Sequence, residues 1–181
     1  MGLSGDRRMT QQLVNDHYGA LYRYAYRLSG SASDAEDLTQ EAFCQAQRKW
    51  LQLREPARVK SWLFSILRNA YLHRMRAERR QRLVHLPDLD DVSEPLPEPL
   101  PPVDPEQLQG ALDELPEDFR TPVILFYFED FTYRDIAEQM DLPLGTVMSR
   151  LARAKAHLRK RLLQSDRSLV IRGPRSDRDG L

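Results

Sequence analysis

The chain has 181 residues, equal numbers of basic and acidic side chains, and one cysteine, Cys44. A single cysteine excludes an internal disulfide, and no apolar run in the sequence approaches the roughly 20 residues of a membrane-spanning helix. We therefore expect a cytoplasmic protein without membrane insertion, in which Cys44 is buried as a packing thiol.

The zero net charge conceals three blocks of different sign. Residues 1–80 contain 14 basic and 8 acidic side chains, residues 81–118 contain 1 and 11, and residues 119–181 contain 12 and 8. Affinity for a polyanion depends on the local charge that meets it. Two basic blocks that flank an acidic one are therefore compatible with nucleic-acid binding.

Two helices are predicted at the start of a first domain, residues 10–80. The first covers residues 10–29 and ends at Gly30, a residue that often terminates helices. The second begins at a capping box, in which Ser33 and Glu36 bind free amides of the first turn. Helical spacing of apolar residues predicts the buried face of the first helix: Val14, Tyr18, Leu21, Ala25 and Leu28.

A third helix follows Pro56 and continues to residue 80, where its end is strongly basic. Its apolar residues again recur at helical spacing, and Trp62 is expected among them in the core. The alternative is that the indole of Trp62 stacks on a nucleic-acid base.

Residues 81–105 have a different composition, acidic and rich in proline. Proline lacks a backbone donor and disfavours helix in the preceding residue, and the segment shows no alternation typical of a strand. The sequence therefore predicts an extended linker between two domains.

The second domain, residues 106–165, is predicted to contain four short helices, followed by a flexible tail at 166–181. The apolar segment 123–128 has strand propensity, but no partner strand exists in the sequence, so a helix is preferred. We therefore expect an all-α fold of two small helical domains.

A helix-turn-helix is predicted in residues 131–151. A short amphipathic helix is followed by a turn at Asp141, Leu142 and Pro143, and a second helix then places Val147 and Leu151 on its inner face. Its outer face is basic, as in a helix that enters the major groove of DNA. The alternative is an ordinary helical hairpin with a solvated basic face.

Three blocks of the sequence resemble the extracytoplasmic-function (ECF) sigma factors of bacterial RNA polymerase. They are DAEDLTQEAF at 34–43, SWLFSILRN at 61–69, and LDELP at 112–116 followed by the helix-turn-helix segment 133–155. The resemblance covers about 155 of the 181 residues. It implies a promoter-selecting subunit whose partners are core RNA polymerase, promoter DNA and an anti-sigma factor.

The resemblance also implies a role for each block. Polymerase binding falls on an acidic helical face, for which a merely solvated surface is the alternative: Asp34, Glu36, Asp37, Gln40 and Glu41. Recognition and melting of the −10 element fall on the third helix: Lys60, Ser61, Trp62, Arg68, Asn69, Arg74 and Arg76. Recognition of the −35 element falls on the second helix of the helix-turn-helix: Thr146, Met148, Ser149, Arg150, Ala152, Arg153 and Lys155.

Two positions depart from the family pattern. Met148 stands where a lysine or arginine is common, and its thioether cannot donate a hydrogen bond to a base. His73 stands where an aspartate is common. These departures affect the promoter sequence that is expected to be read, and leave the type of function unchanged.

Two other classes of function compete with a sigma factor. A helix-turn-helix regulator that binds DNA as a dimer is the alternative, although the chain shows no ligand or receiver domain. An enzyme is not expected, because the sequence has no glycine-rich phosphate loop and its four histidines lack metal-ligand spacing. No cofactor or metal is predicted.

Overall fold

A computed structural model describes residues 3–79 and 103–171 of the chain, and within those ranges it contains helices and no strand. The predicted all-α fold is therefore confirmed. The predicted linker lies, for most of its length, outside the described residues. The helices in chain order are α1 (Leu3–Ser29), α2 (Ala32–Lys49), α3 (Val59–Arg79), α4 (Pro105–Asp113), α5 (Glu117–Phe128), α6 (Tyr133–Met140) and α7 (Leu144–Ile171).

Helices α1, α2 and α3 pack around one apolar core. Tyr24, Leu38, Leu63 and Phe64 have no solvent-exposed surface, and the rings of Tyr24 and Phe64 stack with centroids 4.8 Å apart. Two short 3-10 turns, Trp50–Gln52 and Pro56–Arg58, connect α2 to α3. Burial of these large side chains is the main favourable contribution to the fold of this helix group.

The beginning of α2 differs from the prediction. Ser31 is the N-cap and accepts a hydrogen bond from the backbone amide of Asp34, whereas Ser33 already lies inside the helix. The predicted capping box at Ser33 is wrong because Gly30, at φ 69°, turns the chain early enough for Ser31 to reach the cap position.

Two side chains expected in the core are exposed. Cys44 lies about 200° around α2 from the buried Ala42, which places its thiol on the solvent side of the helix. Tyr18 is 42% exposed and lies at the edge of the α1–α2 contact, where its ring stacks on those of Tyr22 and Phe43.

Helices α4 to α7 form a second group. The segment that had strand propensity is helical, and α5 buries five consecutive residues, Thr121 to Leu125, because α1, α6 and α7 all contact it. Helix α7 continues to Ile171, past the predicted domain end at residue 165 and into the segment expected to be flexible. Residues 172–181 are outside the described part of the chain.

The two helix groups share a continuous apolar core. The Phe64 ring of α3 lies 5.2 Å from that of Phe131, which precedes α6. The Arg120 guanidinium of α5 donates to the carbonyl oxygen of Leu28 at the end of α1, at 2.6 Å. These contacts join the N-terminal helix group to the C-terminal one.

Candidate nucleic-acid interface

The first helix of the helix-turn-helix is α6, and local hydrogen bonds fix both of its ends. The Thr132 hydroxyl accepts from the amide of Asp135, and the Asp135 carboxylate accepts from the amide of Thr132. The hydrogen bonds from Thr132 lower the pKa of Asp135. At the other end, Asp141 takes a left-handed conformation and the amide of Leu142 donates to the carbonyl of Ala137, which closes the turn before α7.

Helix α7 buries one face and exposes the opposite one. Val147, Leu151 and Ala154 are buried against α4, α5 and α6. Among the predicted −35 residues, Thr146 and Arg150 are half-buried. The others are exposed to solvent: Met148, Ser149, Ala152, Arg153 and Lys155. The N-terminal part of α7 therefore offers a continuous outer surface to a ligand.

Arg150, unlike the exposed Met148 and Ser149, turns back onto the protein. Its Nη1 lies 3.5 Å from the Asp118 carboxylate, and its guanidinium carbon lies 5.9 Å from the centroid of the Phe119 ring. In this conformation Arg150 anchors α7 to α5.

The predicted −10 residues lie along α3, and two of them contact the C-terminal helix group through ionic or hydrogen bonds. Lys60 donates to the backbone carbonyl of Glu129 at 2.6 Å. Arg68 forms an ion pair with Glu117 of α5 at 3.0 Å, in which both side chains are mostly buried. The structure thus uses two basic side chains of α3 to join the domains.

Of four further predicted −10 residues, two contact the 3-10 turns that precede α3, and two face solvent. The Ser61 hydroxyl donates to the carbonyl of Arg58, and half-buried Trp62 packs edge-to-face on Trp50. Asn69 and Arg76 are exposed. The prediction that Trp62 lies in the core is therefore only partly fulfilled, since its indole remains accessible on one side.

The acidic residues of α2 form an outward surface. Asp34, Glu36, Asp37 and Gln40 are exposed, and Glu41 is half-buried. Arg74 of α3, a predicted −10 residue, lies 3.2 Å from Glu41 and 3.9 Å from Asp37, two of the predicted polymerase-binding residues.

A cleft of about 540 Å³ separates the loop before α3 from α6. An ion pair between Arg58 and Glu138, 2.6 Å long and exposed, bridges it. Gln139 also lines the cleft, and its amide is buried without a hydrogen-bond partner among the described residues. None of these three residues was identified from the sequence, because only the packing of the two domains brings them together.

Glu129 is the buried carboxylate of the domain interface. It is 2% exposed, and its Oε1 has no hydrogen-bond partner in the described part of the chain. Burial raises the pKa of Glu129, and the neighbouring charges of Arg23, Lys60 and Arg27 offset that effect only in part. Sequence reasoning missed this residue, since a lone glutamate after a helix gives no signal of burial.

Metal clusters and membrane-spanning helices are both missing from residues 3–79 and 103–171. These ranges contain no group of histidine, cysteine and acidic side chains suited to hold a metal ion. They contain no helix with the length and apolar character needed to cross a membrane.

Two family models match the chain. Sigma-70 region 2 matches residues 13–81, and sigma-70 region 4 matches residues 106–158. The first match covers most of α1 with α2 and α3, and the second covers nearly all of α4, then α5, α6 and the first half of α7, so each match falls on one of the two helix groups.

Curated relatives extend this similarity over most of the chain. ECF RNA polymerase sigma factor SigE of Mycolicibacterium smegmatis is 40% identical over 159 residues, which are 82% of this chain and 59% of that protein. ECF RNA polymerase sigma factor SigM of Mycobacterium tuberculosis is 32% identical over 88% of this chain and 80% of its own length. This chain thus spans less than two thirds of SigE and most of SigM.

Solved structures show the same architecture. The sigma factor RpoE of Bartonella quintana, in complex with the anti-sigma factor NepR, matches with a TM-score of 0.70 and 29% identity over 86% of this chain and 97% of that one. CnrH, in complex with the cytosolic domain of CnrY, shares the fold with a TM-score of 0.65 and 24% identity over 90% of this chain and 92% of its own. The helix-turn-helix, the two helix groups and these relatives together show that the chain belongs to the extracytoplasmic-function sigma factors of RNA polymerase.

Proposed function

We propose that this sigma factor directs core RNA polymerase to promoters by two separate DNA contacts. Residues 106–165 read the −35 element as duplex through α7, and residues 10–80 capture and melt the −10 element through α3. The observation that carries the proposal is the outward face of α7, since Met148, Ser149, Ala152 and Arg153 are exposed on the second helix of a helix-turn-helix. No catalytic step is assigned to the chain itself.

The outer face of α2 is the proposed polymerase contact. Asp34, Glu36 and Asp37 are exposed, and Arg74 of α3 pairs with the half-buried Glu41. A basic surface on polymerase would complement this charge. Residues 81–105 would connect the two readers, and the function places the protein in the cytoplasm, where polymerase acts.

We also propose that an anti-sigma factor controls this chain. Support comes from the relative RpoE, whose structure was solved with the anti-sigma factor NepR. A protein that covers α2 or the outer face of α7 would prevent the contacts proposed above.

For Arg68 to take part in the −10 contact, the two helix groups must separate. Arg68 is mostly buried in its ion pair with Glu117, and Lys60 donates to the carbonyl of Glu129, whereas Arg76 of the same helix is already exposed. The −35 surface of α7 can be reached without separating the helix groups, because Met148 and Ser149 at its centre are already exposed to solvent.

Run-off transcription with purified core polymerase and a pool of genomic fragments tests the proposal. We expect promoter-specific transcripts that depend on the added protein. Asn69→Ala and Arg76→Ala should reduce promoter opening, and Ser149→Ala combined with Arg153→Ala should reduce promoter binding. Lys160→Ala, an exposed change further along α7, is the matched control and should leave both unchanged.

Absence of specific transcripts with an active core would refute the proposal. Binding of the free protein to a palindromic duplex as a dimer would instead support the dimeric regulator. Gel-shift experiments with and without core polymerase distinguish the two modes of binding.

A further inference from the structure

An apolar strip lies on the outer surface of the helix proposed to read the −35 element. Leu144, Met148 and Ala152 follow one another at four-residue spacing in α7, and all three side chains are exposed. Residues four apart lie on the same side of a helix, so these three side chains form one continuous strip. Met148, in its centre, is 50% exposed.

The strip has no role in the core of the domain. The buried face of α7 consists of Val147, Leu151 and Ala154, which contact the other helices. At about 100° per residue, Met148 lies about 60° to 120° around the helix from these three residues, so the strip borders the buried face without belonging to it. Arg150, which follows Met148 by two residues, turns away to Asp118 and Phe119. The centre of the reading surface therefore presents a thioether and a methyl group, with the Ser149 hydroxyl beside them.

The chemistry of the major groove restricts what such a strip can recognise. Guanine, cytosine and adenine present hydrogen-bond donors and acceptors there, and the thymine C5-methyl is the apolar group on a base edge. Met148 and Ala152 have no side-chain donor with which to read the other bases. Methionine is also long and flexible enough to adjust to a methyl group on the groove floor.

We propose that Met148, supported by Ala152 and Leu144, recognises a thymine in the −35 element by contact with its C5-methyl group. This inference rests on the proposed −35 function of α7 and names the base for which that surface is built. Met148 is the specificity-determining residue, because it lies at the centre of the strip and has the longest side chain of the three.

Uracil substitution isolates the methyl group without changing base pairing. The −35 element is first selected from a randomised pool with the holoenzyme, made from core polymerase and the full chain. Each thymine on either strand is then replaced by deoxyuridine, and the affinity of the holoenzyme for each duplex is measured. Loss of one buried methyl contact should weaken binding about fourfold at one thymine position.

Three variants of the chain test whether Met148 makes the contact with the thymine methyl group. Met148→Ala should bind the thymine and uracil duplexes equally, since the contact is already lost. Met148→Lys should shift the selected base at that position towards guanine, whose O6 and N7 accept hydrogen bonds. Leu163→Ala, also an exposed apolar residue of α7, is the control and should keep the full sensitivity to uracil.

The outcomes separate this inference from the proposed function. If a scrambled −35 element abolishes binding but every uracil duplex binds like its thymine parent, the thymine contact is refuted and the −35 function stands. The thymine contact is likewise refuted if the selected element contains no thymine, or if Met148→Ala keeps its sensitivity to uracil. If scrambling the −35 element has no effect, the proposed function of α7 fails as well.

Discussion

The two proposed DNA-reading surfaces of this sigma factor both lie on helices, but they differ in how far the rest of the protein contacts them. On α3, Lys60 and Arg68 contact the C-terminal helix group through a backbone carbonyl and a mostly buried carboxylate. On α7, Met148 and Ser149 are exposed to solvent. Part of the α3 surface is therefore held in the domain interface, whereas the centre of the α7 surface is available for binding.

This difference follows from what surrounds each helix. Lys60 and Arg68 lie opposite the carbonyl of Glu129 and the carboxylate of Glu117, oxygen groups that stand where the phosphates bound by these side chains are proposed to lie. The outer face of α7 has small and apolar side chains at its centre, and among the described residues no acidic helix covers them. A basic helix can thus stabilise the fold or bind DNA, depending on its neighbours.

The largest effect is expected from the ion pair between Arg68 and Glu117. Replacing Arg68 by alanine leaves the Glu117 carboxylate mostly buried without its cation, which should lower the free energy of unfolding by about 3 kcal/mol. Met148→Ala, on the other reading surface, should change it by less than about 0.5 kcal/mol. Urea denaturation of the full chain, followed by circular dichroism, measures both values.

Two further variants show whether burial causes the loss. The double variant Arg68→Met with Glu117→Leu removes both charges and should recover most of the stability. Arg74→Ala breaks a more exposed ion pair on the same helix and should cost less than about 1 kcal/mol. Equal losses for Arg68→Ala and Arg74→Ala would contradict the view that α3 is held by a buried contact.

A smaller, pH-dependent effect is expected from Glu129. Burial raises its pKa in the folded state, so the folded chain binds the proton more tightly than the unfolded chain. The stability that this group contributes is complete below about pH 4 and is lost as the pH rises through the folded-state pKa. Glu129→Gln stays neutral, and it should therefore unfold a few degrees higher than the wild type at pH 8.

Thermal unfolding of both proteins at pH 4 and pH 8 measures this difference. The charges that face Glu129 are Arg23 and Arg27 of α1, Lys60 of α3 and the adjacent Asp130. We expect the two unfolding midpoints to converge at pH 4. A wild type that is more stable than Glu129→Gln at pH 8 would mean that these cations outweigh the cost of burial.

The smallest effect is expected from Arg58, another cation that bridges the domains. Its ion pair with Glu138 is short, but both side chains are more than half exposed, so solvent and salt screen the interaction. Arg58→Ala should leave the unfolding midpoint nearly unchanged in low salt and wholly unchanged in about 1 M salt. A large shift that persists in high salt would show that the cleft beside α6 is more rigid than its exposure indicates.

Much of the fold was predictable because local patterns and long-range packing agree. The short amphipathic helix α6 and the turn at Asp141 depend on local sequence, and the structure has both. The start of α2 was misplaced because two serines near Gly30 offer equivalent caps in sequence, and the backbone turn selects Ser31. Cys44 was expected in the core because it lies in an apolar stretch, although helical spacing already places it about 200° from Ala42, on the exposed side of α2.

The candidate site, like the fold, was predictable from the sequence only in part. The sequence alone determined the helical fold class, the helix-turn-helix and the basic character of α3 and α7, because these depend on residue spacing and composition. Only the tertiary structure decided which cations face outward. Arg68, Lys60 and Arg150 meet oxygen atoms from other parts of the chain, while Met148 stays exposed, and no pattern within one helix specifies what the opposite helix places against it.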